Sequence, residues 1–371
     1  MNRAPHEPPP SPGPARPGRA GRGPRARRLT VAALVAAGIV VLGLIAWPLL
    51  NRFGVFSDKG DRISFSRPAP RGSATGSGPS ASVDAGTRLP TGPEAEFTVE
   101  STLPDGTKIA HTTLHGPKSG FTGPVWVWAP KEYTDDPRYA RSGFPVLIAL
   151  PGGEGAQQNY WMGADLGLQT SIARWAGEGK SLPFVVVMPS LNPDKKFYRD
   201  GSDIPGQPKM GTWLTEDVPD LVRQNFRTLR SRDGWAFMGS SSGGFAGLKS
   251  VLQHPDRFKA AIASGPDIVP DSPLWAGHEA ERRENDPQVL AQRIIDRGGP
   301  DVYLAFQVGT LERGAMRAAK QFVAAYGKGP VHTSLREIPG GRHNAHTYVP
   351  AMGEGPIQYI SAHLRGPVPS S

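Results

Sequence analysis

Residues 235–253 leave little choice of local structure. A short apolar run, Trp235-Ala236-Phe237-Met238, passes straight into Gly239-Ser240-Ser241-Ser242-Gly243-Gly244 and then into a helix-favouring stretch over residues 245–253. A strand that becomes a helix within so few residues needs small side chains at the bend, because larger ones meet the adjoining strand and helix. The middle residue of Gly-x-Ser-x-Gly then stands clear of the sheet, above the positive end of the helix that follows. Ser241 is therefore the candidate nucleophile. The pattern has only three fixed positions in a chain with 46 glycines, so its strand-before, helix-after context carries the weight.

Other short apolar runs recur at 144–150, 184–188, 258–264, 302–308 and 331–338. Continuous runs of this length suit strands covered on both faces. Helical stretches separate most of them, which is the alternation of an α/β sheet. Upstream, 97–103 and 107–114 flank Asp105-Gly106 and read as a hairpin, and 125–128 is a further strand closed by Pro130. A helix is expected over 215–226: Leu214, Val218, Leu221 and Val222 share a face, Thr215 is placed to cap the start, and Pro219 falls in the first turn.

On such a sheet the triad order is nucleophile, acid, histidine. The strand at 302–308 runs into Gly309-Thr310-Leu311-Glu312, which makes Glu312 the candidate acid, with Asp267 and Asp271 after the preceding strand as rivals. The acid would hold the imidazole in one tautomer and stabilise its cation. The last strand runs into Pro339-Gly340-Gly341-Arg342-His343-Asn344-Ala345-His346. His343, on a glycine-rich loop able to reach the elbow, is the candidate base; His346 is expected in the first turn of the final helix. Two backbone N–H groups must receive the oxyanion, and Ser242 and Gly153 are the candidates. The segment 270–299 reads either as an insertion over the site, with Trp275 as a wall, or as an exposed helical cap.

The N-terminal quarter is organised differently. Residues 1–28 are rich in Pro, Arg and Gly and are expected to be a disordered basic tail. Residues 29–50 are 22 positions without a charge, long enough for one transmembrane helix. No A-x-A site follows closely, so an uncleaved signal anchor is favoured over a cleaved signal peptide. Six arginines lie within the 20 residues upstream and four basic residues within the 20 downstream, which puts the N-terminus in the cytoplasm and the rest of the chain outside. Residues 51–93 read as a flexible linker, and 94–371 as the folded catalytic domain. The tail's seven arginines against one glutamate account for six of the nine net positive charges, so the basic balance is no argument for nucleic-acid binding. The absence of cysteine excludes disulfides, a thiol nucleophile and Cys-ligated zinc, and no metal or cofactor motif appears.

Several segments together resemble the putative esterase family of α/β hydrolases, which includes the antigen 85 mycolyltransferases and the esterase D and enterochelin-esterase-like proteins. They are Gly116-Pro117-Lys118-Ser119-Gly120, Ala129-Pro130-Lys131-Glu132-Tyr133, Leu150-Pro151-Gly152-Gly153 and Phe197-Tyr198-Arg199-Asp200. Thr212-Trp213-Leu214-Thr215-Glu216-Asp217-Val218-Pro219, Gly239 to Gly244, His254-Pro255-Asp256-Arg257-Phe258 and Gly341-Arg342-His343-Asn344 complete the set, over about residues 97–364. The resemblance implies an α/β-hydrolase fold with a central, mostly parallel sheet and carries the triad onto Ser241, Glu312 and His343. The antigen 85 proteins have an arginine after this loop that helps to hold trehalose; here Glu154 stands there, so the sugar site is not carried over.

The expected function is a membrane-anchored extracytoplasmic serine esterase acting on a carboxylic ester through an acyl-enzyme. The alternatives are an acyltransferase to a sugar or other alcohol, and a non-catalytic surface binding module on the same fold.

Overall fold

The computed structural model describes residues 58–66, 84–153 and 158–370. Ten strands form one sheet: β1 (Arg62–Ile63), β3 (Phe97–Thr102), β4 (Lys108–His115), β5 (Thr122–Trp128), β6 (Val146–Leu150), β7 (Val185–Pro189), β9 (Trp235–Ser240), β10 (Ala260–Ser264), β11 (Val302–Gly309) and β12 (Val331–Ile338). Two more, β2 (Thr87–Arg88) and β8 (Thr228–Leu229), pair by themselves. The large sheet runs β1-β3-β4-β5-β7-β6-β9-β10-β11-β12. Neighbours from β7 to β12 pair in parallel, and those from β1 to β7 antiparallel.

The parallel strands β6, β7, β9 and β10 are buried at every position because both faces are covered, whereas the edge strand β12 carries polar residues and is mostly half-buried. In β6, Val146, Ile148 and Leu150 join one core cluster while Leu147 and Ala149 join the other. Helices α2 (Val218–Asn225), α3 (Ser242–Gln253), α4 (Pro287–Arg297) and α5 (Arg313–Tyr326) supply the first cluster. Helices α1 (Leu168–Gly177), α6 (Ala345–Met352) and α7 (Pro356–His363) supply the second. Each fully buried Val, Leu, Ile or Phe contributes about 1.5–3 kcal/mol. The hairpin between β3 and β4 closes as its sequence requires: Gly106 has φ 88°, and Asp105 Oδ1 accepts from the Thr107 N–H at 3.0 Å.

Three details differ from the sequence expectations. Part of the segment read as linker belongs to the folded unit: Arg62–Ile63 pairs with β3, and Phe65 is buried against Phe97 and Phe226 at ring separations of 5.3 and 4.8 Å. One apolar ring in a Ser/Gly/Pro-rich stretch shows no periodicity, yet it suffices to anchor the strand. The helix expected at 215–226 is already winding at Met210–Thr212 and passes through a wide turn, with the Val218 N–H reaching Trp213 O, before α2. Thr215 therefore does not cap; its hydroxyl donates to Gly211 O at 2.8 Å. Trp275 is 2 % exposed and donates its Nε1–H to Asp200 Oδ2 at 2.6 Å, so it packs inward and does not wall the site. The neighbouring helix Glu279–Glu284 is exposed and buries no side chain. Among the described residues no helix is long and apolar enough to cross a membrane; the tail at 1–28 and the apolar span 29–50 lie outside them.

Candidate active site

The chain turns from β9 into α3 at Ser241, whose φ of 55° and ψ of −127° are rare for a residue with a side chain. Holding such a conformation costs about 1–3 kcal/mol. The flanking glycines are required by contact. A Cβ on Gly239 would lie 2.4 Å from the Gly243 carbonyl, and one on Gly243 would lie 2.3 Å from Pro151 O. The bend is thus pressed against the end of β6, and Ser241 faces the cleft beside Gly152 and Gly153. The Ser241 N–H donates to Ser264 O at 3.0 Å, tying the elbow to β10.

Glu312 and His343 come together at the ends of β11 and β12. His343 Nδ1 lies 2.5 Å from Glu312 Oε2, and the same oxygen accepts the Tyr348 hydroxyl at 2.6 Å. Glu312 Oε1 accepts the Gly309 N–H at 2.7 Å. The Glu312 side chain is 6 % exposed, His343's 51 %. Burial pushes the Glu312 carboxyl up, but the hydrogen bonds from His343, Tyr348 and Gly309 outweigh it and hold the group below its ordinary value. The Glu312 carboxylate raises His343 above its ordinary value, against partial desolvation. Burial and the same carboxylate raise Tyr348, which stays a neutral donor.

The rival acids sit differently. Asp271 is exposed. Asp267 is partly buried and pushed up to about 6 by desolvation, with Asp271 adding repulsion and His343 opposing it. Glu312 holds Nδ1, so Asp267 is a neighbouring charge and not the partner of the imidazole.

Ser241 and His343 line one cleft of about 910 Å³, together with Tyr160, Met162, Leu166 and Tyr198. Among the described residues no hydrogen bond joins the serine hydroxyl to the imidazole; such bonds commonly tighten only around substrate. His346 is in a first helical turn, but of α6, the helix before the final one, and it also lines the cleft. Gly153, with φ +67°, borders the cleft, and its carbonyl accepts the Ser242 hydroxyl at 3.1 Å. Ser242 opens α3, where backbone N–H groups have no partner within the helix. Glu154 lies outside the described residues.

Three contributors carried no signal in the sequence reading. Tyr348 lies five residues past the histidine, and the Asn344 side chain sets its helix by capping the Thr347 N–H at 2.8 Å. Gly265 ends β10 with φ +48°, and a Cβ there would fall 2.5 Å from Glu312 Oε2 and 3.0 Å from His343 Nδ1. Tyr160 sits against the elbow, with its hydroxyl on Ser240 Oγ and accepting the Gly152 N–H. A tyrosine after the catalytic loop and a glycine at a strand end are readable features, but their targets are not.

Known proteins resemble this chain in sequence and in fold. Residues 124–349 match the family model described as "Putative esterase". An uncharacterized protein of Corynebacterium glutamicum is 24 % identical over 237 residues, covering 60 % of this chain and 54 % of that protein. An esterase of Mycobacterium tuberculosis is 29 % identical over 170 residues, covering 46 % of this chain and 34 % of its own length. The chain thus spans about half, or less, of the curated relatives it matches. Among solved structures, a ferulic acid esterase superposes with a TM-score of 0.56 at 18 % identity, over 70 % of this chain and 99 % of the other. An S-formylglutathione hydrolase from Agrobacterium tumefaciens gives 0.54 at 19 %, over 70 % and 96 %. At these identities the likeness is one of fold.

Proposed function

This chain belongs to the putative esterase family, and from that premise we propose that it is a serine esterase working through an acyl-enzyme on Ser241. Ser241 Oγ attacks the ester carbonyl while His343 Nε2 takes its proton. Glu312 keeps Nδ1–H oriented and balances the imidazolium. The oxyanion falls to the Gly153 and Ser242 N–H groups. His343 then returns the proton to the departing alkoxide, leaving the acyl group on Ser241. A water that gives its proton to His343 attacks that ester, and Ser241 leaves with the proton to restore the enzyme.

The observation that carries this reading is the 2.5 Å pair of Glu312 and His343 lining the same cleft as an elbow serine in a strained backbone. A surface binding module has no use for a buried, three-donor carboxylate behind an exposed imidazole. Acyl transfer to another alcohol uses the same acyl-enzyme, with the acceptor hydroxyl in place of water. We further place the domain outside the membrane, tethered by residues 29–50; the support is the uncharged run and the arginines before it.

The test is labelling by a fluorophosphonate probe, read by intact mass, alongside turnover of a p-nitrophenyl ester. One adduct per chain, lost with Ser241→Ala, is expected. A folded protein that takes no adduct and turns over no ester would return the binding-module reading.

A further inference from the structure

We propose that Tyr160 is the positioning residue of the oxyanion site, bracing the loop after β6 so that the Gly153 N–H, and not that of Gly152, faces the reacting carbonyl. The inference rests on the acyl-enzyme reading of Ser241.

The loop has two glycines in succession, Gly152 and Gly153, and the peptide between them is free to flip unless held from both sides. It is held. Upstream, the Gly152 N–H donates to the Tyr160 hydroxyl at 2.7 Å. Downstream, the Gly153 carbonyl accepts the Ser242 hydroxyl at 3.1 Å. The same tyrosine oxygen is hydrogen-bonded to Ser240 Oγ, the residue before the nucleophile. One hydroxyl therefore links the oxyanion loop to the elbow strand.

Tyr160 is itself held by its neighbours. Asn159 is fully buried and spends both amide hydrogens on strand-end carbonyls, Ala149 O in β6 at 2.8 Å and Pro189 O in β7 at 2.9 Å. Its Oδ1 accepts the Trp161 N–H at 3.1 Å, and the buried Trp161 indole donates to Leu150 O at 2.8 Å. The segment Asn159-Tyr160-Trp161 is thus fastened to the C-terminal ends of two adjacent parallel strands. The loop runs close against the elbow: a Cβ on Gly152 would stand 2.9 Å from Ser240 O and 3.0 Å from Ser241 Cβ, so only glycine fits there. Burial raises the pKa of Tyr160, and the group remains a protonated hydroxyl at neutral pH.

An oxyanion donor is useful only if it waits at the position the oxygen will reach. Removing such a donor outright costs about 10²–10³ in kcat. Tyr160→Phe leaves the donor in place but unbraced, so kcat should fall about 10–100-fold with KM within about threefold. The rate of fluorophosphonate labelling at Ser241, which places an oxygen in the same site, should fall in parallel. The acid limb of the pH profile should not move, because Glu312 and His343 are untouched. Ser240→Ala, which breaks the other half of the link, should give a smaller loss of the same kind in a protein of unchanged folding.

Tyr160→Phe that labels and turns over at the wild-type rate overturns the inference alone. So does a KM raised well beyond threefold together with a shifted acid limb, which is what general loosening of the cleft would produce. Absence of labelling in the wild-type protein itself overturns the acyl-enzyme reading and this inference with it.

Discussion

Gly265→Ala tests the architecture of the triad without touching any of its members. The position has φ +48° and its N–H is tied to Gln307 O at 2.8 Å, so the backbone cannot swing away cheaply. A Cβ would stand 2.2 Å from the Tyr348 hydroxyl, 2.5 Å from Glu312 Oε2 and 3.0 Å from His343 Nδ1. Ordinary contact needs roughly 3.5 Å, so the hydroxyl and the carboxylate must each retreat by about 1 Å. That breaks the 2.6 Å Tyr348–Glu312 bond and lengthens the 2.5 Å Glu312–His343 pair. Left-handed alanine in place of glycine costs about 1 kcal/mol, and a lost hydrogen bond to a charged group about 1.5–3 kcal/mol. The total, about 2.5–4 kcal/mol, should lower Tm by roughly 5–16 °C and leave it folded at 25 °C. The catalytic loss should be far larger in proportion. A base held in the wrong orientation forfeits about 10³–10⁴ in kcat. The assay is p-nitrophenyl ester hydrolysis at 25 °C on protein shown to be folded by circular dichroism. Gly265→Ala combined with Tyr348→Phe, which deletes the nearest clashing atom, should recover part of the stability. A folded Gly265→Ala enzyme within tenfold of wild type would refute the reasoning.

Two other outcomes follow from the same cluster. His343 must be neutral to take the serine proton, and Glu312 raises its pKa above 6.5, so the acid limb of kcat/KM should lie above pH 6.5. In Glu312→Gln the larger raising charge is gone, and desolvation is opposed only by Asp267, so the limb should move to lower pH as kcat falls; a limb that stays or rises would exclude this pairing. Tyr348→Phe removes one of the three donors to Glu312, and a loss of about tenfold in kcat/KM is expected from steady-state kinetics. An unchanged rate would reduce Tyr348 to a packing role.

The sheet was readable because its inner parallel strands are covered on both faces: the run 144–150 is apolar throughout, and 302–308 is apolar apart from Tyr303 and Gln307. The elbow was readable because close contact at Gly239 and Gly243 leaves few residues that fit. Glu312 and His343 followed from their places after successive strands, and the structure brings those two together. What escaped the sequence depends on long-range contact. Phe65 acts through Phe97 and Phe226, far along the chain. Thr215 looks like a cap, yet the helix has already begun and its hydroxyl turns back to Gly211. Trp275 is large and follows a strand end, but its direction is decided by Asp200, 75 positions away. Tyr160 meets the elbow, and Tyr348 and Gly265 meet the Glu312–His343 pair, only once β6, β9, β10, β11 and β12 are assembled in that order.

The backbone at Ser241 places stability and activity in conflict at one position. Left-handed geometry is costly for serine and free for glycine. Ser241→Gly is thus a substitution that folding alone would welcome. On the proposed acyl-enzyme reading, lineages of this chain released from the need to react with an acyl group would drift first at Ser241, with the sheet intact and the glycines around it still in place. A relative that keeps Gly239 and Gly243 but has lost the serine between them would be a better-folded descendant of an enzyme, and its elbow would be the record of that descent.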